Sequence, residues 1–202
     1  MPSEPNATLK TIIARHSIRR FASGEVDRET LETVLDAANR APSAHNRQSW
    51  RFCVVHGTKK EELARLAASR AAEFSRPASV LLRMAARSIS AAPVVVAIAN
   101  TGDLIRHGRS LFQREDETTA DFFRTMEIQS SAAAAENLLL AATSLGLATV
   151  WLGILYLVKD DVRRLLGEPR GEFVAVVPIG WPAAAAPGPA KRPLAAVVRY
   201  LE

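Results

Sequence analysis

The stretch Leu138–Val158 reads LLLAATSLGLATVWLGILYLV. It carries no charge and is long enough to raise a membrane-spanning reading. Gly146 argues against it. This glycine stands where a helix C-cap falls, and it divides the run into a helix-forming half, AAAAENLLLAATSL, and a β-prone half, LATVWLG. No Lys or Arg cluster flanks the run closely enough to anchor a span. A buried helix feeding a buried strand accounts for the whole stretch and points to an α+β fold around a core.

Upstream, Asp116–Leu145 contains neither Gly nor Pro and predicts one long helix, or two in series. Pro93 opens a strand, VVVAIAN, and residues 70–90 predict helix. Thr58 and Glu61 form a capping-box pattern for another helix, preceded by a strand over Arg51–His56. Asp27–Ala41 predicts a helix capped by Asp27, with Leu31, Val34, Leu35 and Ala38 at helical spacing and Pro42 as its stop. A short helix over Thr8–His16 precedes it. Downstream come a helix over Val158–Leu166 ended by Gly167, a strand over Phe173–Ile179, and a linker, AAAAPGPA, leading to KRPLAAVVRYLE. Val197 and Val198 in that tail require burial, so residues 183–202 read as an arm that docks on a second subunit. No internal repeat is present.

The 202 residues fit one domain, with 48% hydrophobic and 23% charged residues arguing against disorder. Cys53 is the only cysteine, so an intramolecular disulfide and a multi-cysteine zinc site are both excluded. A reducing, cytoplasmic setting is expected, since MPSEPNATLK has no apolar run of a secretory signal. The net charge of +5 and pI near 9.9 permit an anionic partner. The arginines are scattered rather than clustered, so neither nucleic acid nor membrane is expected as a partner; a basic nucleic-acid-binding module is the alternative of a different class. No GxGxxG follows a strand, and no P-loop occurs. His16, His45, His56 and His107 lack metal-ligand spacing, so no metal site is expected, and no Ser-His-Asp order is seen. Cys53, among β-branched neighbours, reads as an inert buried thiol. An enzyme built this way needs a bound cofactor for its chemistry.

Four segments could hold one. In Arg15-His16-Ser17-Ile18-Arg19-Arg20-Phe21 the first five residues offer two forked guanidiniums and a hydroxyl able to grip a phosphate, and the segment is equally a solvated basic helix end. Pro42-Ser43-Ala44-His45-Asn46-Arg47-Gln48 is dense in groups that both donate and accept, suited to a heterocycle edge or to an ordinary turn. Trp151-Leu152-Gly153-Ile154 is either core or a strand end where a backbone approaches a flat ligand. Lys191-Arg192 is a basic pair in the arm.

Taken in order, RHSIRRF, APSAHNRQSWRF, AENLLLAATSLGLATVWLG, VPIGWP and KRPLAAVVRY resemble the FMN-dependent nitroreductase family over nearly the whole chain. The resemblance implies an α/β sandwich, a mixed sheet flanked by helices, in an intertwined homodimer with FMN at its interface. Arg15, Ser17 and Arg192 would hold the phosphate, with His16 and Lys191 beside them. Arg19 would lie by the pyrimidine end and support negative charge on the reduced ring. Pro42, Ser43, Asn46 and Gln48 would reach in from the other subunit, and Trp151, Leu152 and Gly153 would line the ring. Hydride from NADH or NADPH would pass through the flavin to a small acceptor in ping-pong fashion, with no catalytic side chain. Relatives with this fold also act as dehalogenases, dehydrogenases or flavin-fragmenting enzymes. The family usually has Gln-Pro-Trp where this chain has Gln48-Ser49-Trp50, Gly-Tyr-Pro where it has Gly180-Trp181-Pro182, and a second glycine where Ile154 stands. Residues 100–124 are expected to form a lid.

Overall fold

The computed structural model describes residues 4–168, 170–185 and 187–201. Seven helices surround a four-stranded sheet among these residues: α1 (Ala7–Ala14), α2 (Arg28–Asn39), α3 (Gly57–Arg70), α4 (Arg76–Ala91), α5 (Asp103–Phe112), α6 (Glu117–Ser144) and α7 (Lys159–Leu166), with β1 (Trp50–Val55), β2 (Val94–Asn100), β3 (Ala148–Thr149) and β4 (Phe173–Gly180). The strand order is β1-β2-β4-β3.

The α+β class stands, but the expected mixed sheet does not: every described pairing is antiparallel. The cause is the connection. Two helices, α3 and α4, lie between β1 and β2, so the chain returns to the end where β1 finished and β2 must run back. A single crossover helix would have made the pair parallel.

β2 is buried along its whole length and alternates between two cores. Val95 and Ala97 pack with Leu63, Leu82 and Ile89 of α3 and α4. Val94, Val96 and Ile98 pack with Val34 of α2 and Leu138 of α6. Period-two alternation along a central strand therefore builds a helix–sheet–helix sandwich. Lys60 ties one layer together, its Nζ donating to the carbonyls of Ser90 at 2.9 Å and Ala92 at 2.7 Å where α4 ends.

The charge-free run divides at Gly146. Leu145 caps α6; Gly146, at φ 78°, donates to Thr143 and Leu147 donates to Ala142. That is a Schellman closure, and glycine alone takes the left-handed turn there without steric cost. Among the described residues no helix is long and apolar enough to cross a membrane.

Asp27 caps α2 by accepting from Thr30 at 2.8 Å, and Asp116 caps a single long α6. Other expectations need correction. The Thr58/Glu61 capping box does not form: α3 already begins at Gly57, and Glu61 instead accepts from Ser90 Oγ. The first helix ends at Ala14, which leaves Arg15 as its extended C-cap and His16 outside it. The β-prone half yields only Ala148–Thr149 and one bridge, Leu152 to Val176, before a 3-10 turn over Gly153–Val158. Within 70–90 a short 3-10 turn over Ala71–Glu73 separates α3 from α4.

Candidate functional site

Residues 15–21 do not continue α1. They run extended along the β3–β4 edge. Ile18 donates to the Thr149 carbonyl at 2.8 Å, Phe21 bridges Pro182, and Ala22 donates to Trp181. This sets the first candidate segment beside the third, which begins two residues after Thr149. Arg15 reaches Glu136 of α6 at 3.5 Å, while Ser17 and Arg19 are exposed.

The arm joins the same cluster. An added Cβ at Gly188 would lie 2.9 Å from His16 Cβ, so the arm crosses over that ring. His16 Nδ1 lies 2.9 Å from the Ala14 carbonyl, and its Nε2 is buried without a partner. Lys191 and Arg192 follow Gly188 by three and four residues, within about 10–14 Å of chain reach. Arg19, Lys191 and Arg192 make no ion pair among the described residues. Most other arginines do, typically with a carboxylate three or four positions away. Arg20, Arg47, Arg65, Arg76, Arg83, Arg87, Arg170 and Arg199 likewise make no ion pair among the described residues, so unpaired cations are spread along the chain and are not peculiar to this end.

Trp151 is half-buried and packs on the α2/α6 core, Leu152 is buried, and Gly153 is exposed. A Cβ at Gly153 would meet nothing closer than Trp151 Nε1 at 3.5 Å, an ordinary contact. Packing within this chain therefore does not demand glycine there. Ile154 turns inward against the α3/α4 core.

Loop 42–49 stands apart. Ala44 donates to Ser130 Oγ of α6 at 3.1 Å, and Gln48 donates its backbone N–H to Ser43 Oγ at 3.0 Å. Gln48 Nε2 donates to Asn46 Oδ1 at 3.1 Å. His45, Asn46 and Gln48 all hold φ near +50°, a cluster of strained conformations of the kind found where surroundings over-determine the backbone. Pro42, Asn46 and Gln48 are exposed. No described hydrogen bond, ion pair or ring contact joins this loop to residues 15–19, 151–153 or 191–192. It touches α5 instead: the rings of His45 and His107 meet edge-on at 5.7 Å.

Sequence reasoning missed what lies beneath the loop. Ser49, Asn100, Glu127 and Ser131 are buried together at the ends of β1 and β2, between α5 and α6. Glu127 Oε1 accepts the Leu104 N–H at 3.2 Å, and burial pushes its carboxyl above the usual glutamate range. Ser131 donates to Asn100 Oδ1. The available signal was helical phase: Phe123, Glu127, Ser131 and Ala134 share one buried stripe of α6.

The Nitroreductase family profile matches residues 12–181. The chain belongs to the nitroreductase family. An Archaeoglobus fulgidus protein with the provisional name NADH dehydrogenase/NAD(P)H nitroreductase is 34% identical over 178 residues, covering 86% of this chain and 84% of that protein. The 5,6-dimethylbenzimidazole synthase of Rhodospirillum rubrum is 29% identical over 175 residues, 83% of this chain and 78% of the enzyme. Among solved structures, the NADPH:FMN oxidoreductase of Vibrio harveyi complexed with NAD+ superposes with a TM-score of 0.75 at 25% identity, covering 98% of this chain and 79% of that one. The helix–sheet–helix sandwich described above is thus a nitroreductase fold.

Proposed function

We propose that this nitroreductase-family chain is an FMN-dependent NAD(P)H oxidoreductase that works as a homodimer. The observation that carries the reading is that the Arg15–Phe21 segment, bonded through Ile18 to Thr149 two residues before Trp151, lies beside the segment with the exposed Gly153, while the arm that bears Lys191 and Arg192 crosses His16 at Gly188. Such an arrangement fits a phosphate at one end and a flat ring at the other. Bound FMN would supply the two-electron chemistry, accepting hydride from NADH or NADPH and passing electrons to a nitroaromatic, quinone or related small acceptor.

The chain's own residues bind and orient. Arg15, Ser17 and Arg192, with His16 and Lys191 beside them, hold the phosphate, and Arg15 must share its charge with Glu136. Arg19 presents positive charge toward the pyrimidine end, where a fixed cation stabilises developing negative charge. Trp151, Leu152 and Gly153 line the ring, and the Gly153 backbone is free for close approach. Pro42, Ser43, Asn46 and Gln48 serve the partner's site, which accounts for a polar loop that turns away from its own cluster. No side chain is required as a base, and donor and acceptor take turns in one space.

The dimer reading rests on exposed apolar groups. On α1, which buries no residue, Leu9, Ile12 and Ile13 face outward, Ile13 at 72% exposure; Leu194, Val197, Tyr200 and Leu201 of the arm do likewise, Tyr200 at 84%. Paired burial of such surfaces is the usual basis of obligate dimers.

The test is the visible spectrum of the purified protein and its bleaching by NADH or NADPH under nitrogen. A colourless protein that neither takes up FMN nor oxidises either nucleotide would end this reading. The similarity to 5,6-dimethylbenzimidazole synthase supports one alternative, a flavin-fragmenting reaction on the same fold; loss of flavin absorbance under oxygen with a reductant would favour it.

A further inference from the structure

Ser49 departs from the family's usual proline, and the structure buries it, at 2% exposure. Its side chain enters a polar knot closed off by the end of β2, the first turn of α5 and the middle of α6. Glu127, at 0% exposure, is the acid of that knot, and its Oε1 holds the Leu104 N–H in the first turn of α5. The Ser49 carbonyl accepts from Thr101 at 3.2 Å, and Ser131 holds Asn100. The Ser49 hydroxyl and the Gly102 N–H lie close enough to favour charge on the carboxyl, and Arg106 adds a distant cation. Even so, Ser49 Oγ, Asn100 Nδ2 and Glu127 Oε2 each complete no hydrogen bond of normal geometry. A half-partnered acid in a core is destabilising, and an apolar residue of similar volume would pack there at less cost. Filling space does not explain this glutamate.

What it joins does. Above the knot sits loop 43–48, with three left-handed non-glycine residues, a costly conformation that persists only where its surroundings hold it. Beside the knot sits α5. Loop and helix meet twice: at the surface through the rings of His45 and His107, and below where the Ser49 carbonyl accepts from Thr101, two residues before α5, while the neighbouring buried Glu127 holds the Leu104 N–H. We propose that Glu127 is a positioning residue that locks loop 43–49 and α5 into one unit, with Ser49 and the Leu104 N–H as its two handles. The strained loop keeps its shape because α5 is fixed, and α5 is fixed because the loop is. If the loop serves the partner's cofactor site, as proposed above, this unit sets the geometry of that site's outer wall. Only this last step rests on the functional reading.

The test is amide hydrogen exchange on the intact protein, comparing wild type with E127L, E127Q and S49A. Glutamine keeps an acceptor for Leu104 and a donor for Ser49. The expected result is that E127L speeds exchange at least tenfold in both 43–49 and 103–112, that E127Q restores most of the protection, and that S49A, which alters only the loop side, still loosens α5. A rise confined to the first turn of α5 in E127L would reduce Glu127 to a local cap and overturn the proposal. So would unchanged α5 protection in S49A, a variant mild enough to fold if E127L does not. In turnover assays the proposal expects a raised KM for the acceptor in S49A with kcat nearly kept. Should the protein carry no flavin at all, the functional reading would fail while the paired exchange response would still decide the proposal.

Discussion

The two parts of the candidate site are built differently. Residues 15–19 run extended beside β3, residues 151–153 follow that strand into a 3-10 turn, and Arg19, Lys191 and Arg192 are exposed with no ion pair among the described residues. Loop 42–49 is strained, bonded to itself and seated on a buried polar knot. In the first part Ser17, Arg19, Lys191 and Arg192 are exposed and can adapt when a ligand arrives, whereas Trp151 and Leu152 are held by the core. The second is set in advance, since most of its polar groups already have local partners. If the proposed dimer brings them together, an adaptable charged grip and a wall set in advance would suit a ligand with a phosphate tail and a flat ring.

The sharpest way to break this contrast is to remove the charged grip. R15A/R192A should weaken FMN binding by about 10²–10⁴-fold, since each lost charge-assisted hydrogen bond costs roughly 1.5–3 kcal/mol. The low end is the better expectation, because Arg15 already shares its charge with Glu136. Fluorescence titration of the flavin-free protein measures it. An unchanged affinity would remove the phosphate assignment and leave the loop as the only candidate cofactor surface.

Next in size is the separation of the two parts between subunits. Ile13→Asp places a charge on the exposed apolar face of α1. Light scattering should show monomer at micromolar concentration, with FMN affinity lost at the same time because each grip would then lack its opposing wall. A monomer that still binds FMN tightly would mean that one chain completes the site alone. Mixing R15A/R192A with N46A/Q48A should recover one working site per heterodimer.

Gly108→Ala tests the wall without touching the grip. An added Cβ would lie 2.0 Å from Phe123 Cδ2, so α5 must shift on α6. Overpacking of this kind costs about 1–3 kcal/mol, or a few degrees of Tm per kcal/mol in a chain of this size. Phosphate binding should hold, while acceptor KM rises with the displaced helix.

Much of this was legible in the sequence, and the exceptions share a cause. Asp27, Gly146 and Gly167 mark helix ends because capping is local chemistry, and each does so here. VVVAIAN reads as a strand because both its faces are buried. The helix α5 stayed hidden within 100–124, since Gly108 weakens the helical signal; that glycine is there to seat Phe123, a partner fifteen positions away. Glu127 looks like any solvated glutamate on a helix until α5 and Ser49 close over it. The direction of β2 follows from the two helices between the strands, both of which the pattern predicts; the mixed sheet is an implication of the resemblance and not of that pattern. Local caps and periodicities were readable; long-range partners were not.

A smaller effect concerns pH. Burial raises the Glu127 carboxyl above its ordinary value, so the neutral acid is the form the fold favours. A group raised in the folded state lends stability that is complete below its unfolded pKa and is lost as pH climbs through the folded one. Denaturation of wild type against E127Q should therefore show the variant gaining ground as pH rises from 4 to 7. A constant difference across that range would mean that Glu127 does not titrate within the knot, and that the loop and α5 are joined by its shape alone.

The smallest effect is expected at Cys53, which sits on β1 just beyond the rigid wall. Its thiol is pushed up to about 11, chiefly by burial and then by Glu168, whose Oε1 lies 3.8 Å away. At neutral pH only about one thiol in ten thousand would be ionised, and the thiolate is the nucleophile. Neither the charged grip nor the loop reaches it through any described contact. Cys53→Ser should leave kcat within about twofold of wild type, with initial-rate plots still parallel as alternating half-reactions require. Serine there exchanges a soft, half-buried sulfur for a hydroxyl beside a carboxylate, so a small change in Tm is compatible with that outcome. Loss of turnover with intersecting plots would not be: it would mean that electrons pass through a thiol on β1, and that neither part of the proposed site is where the chemistry occurs.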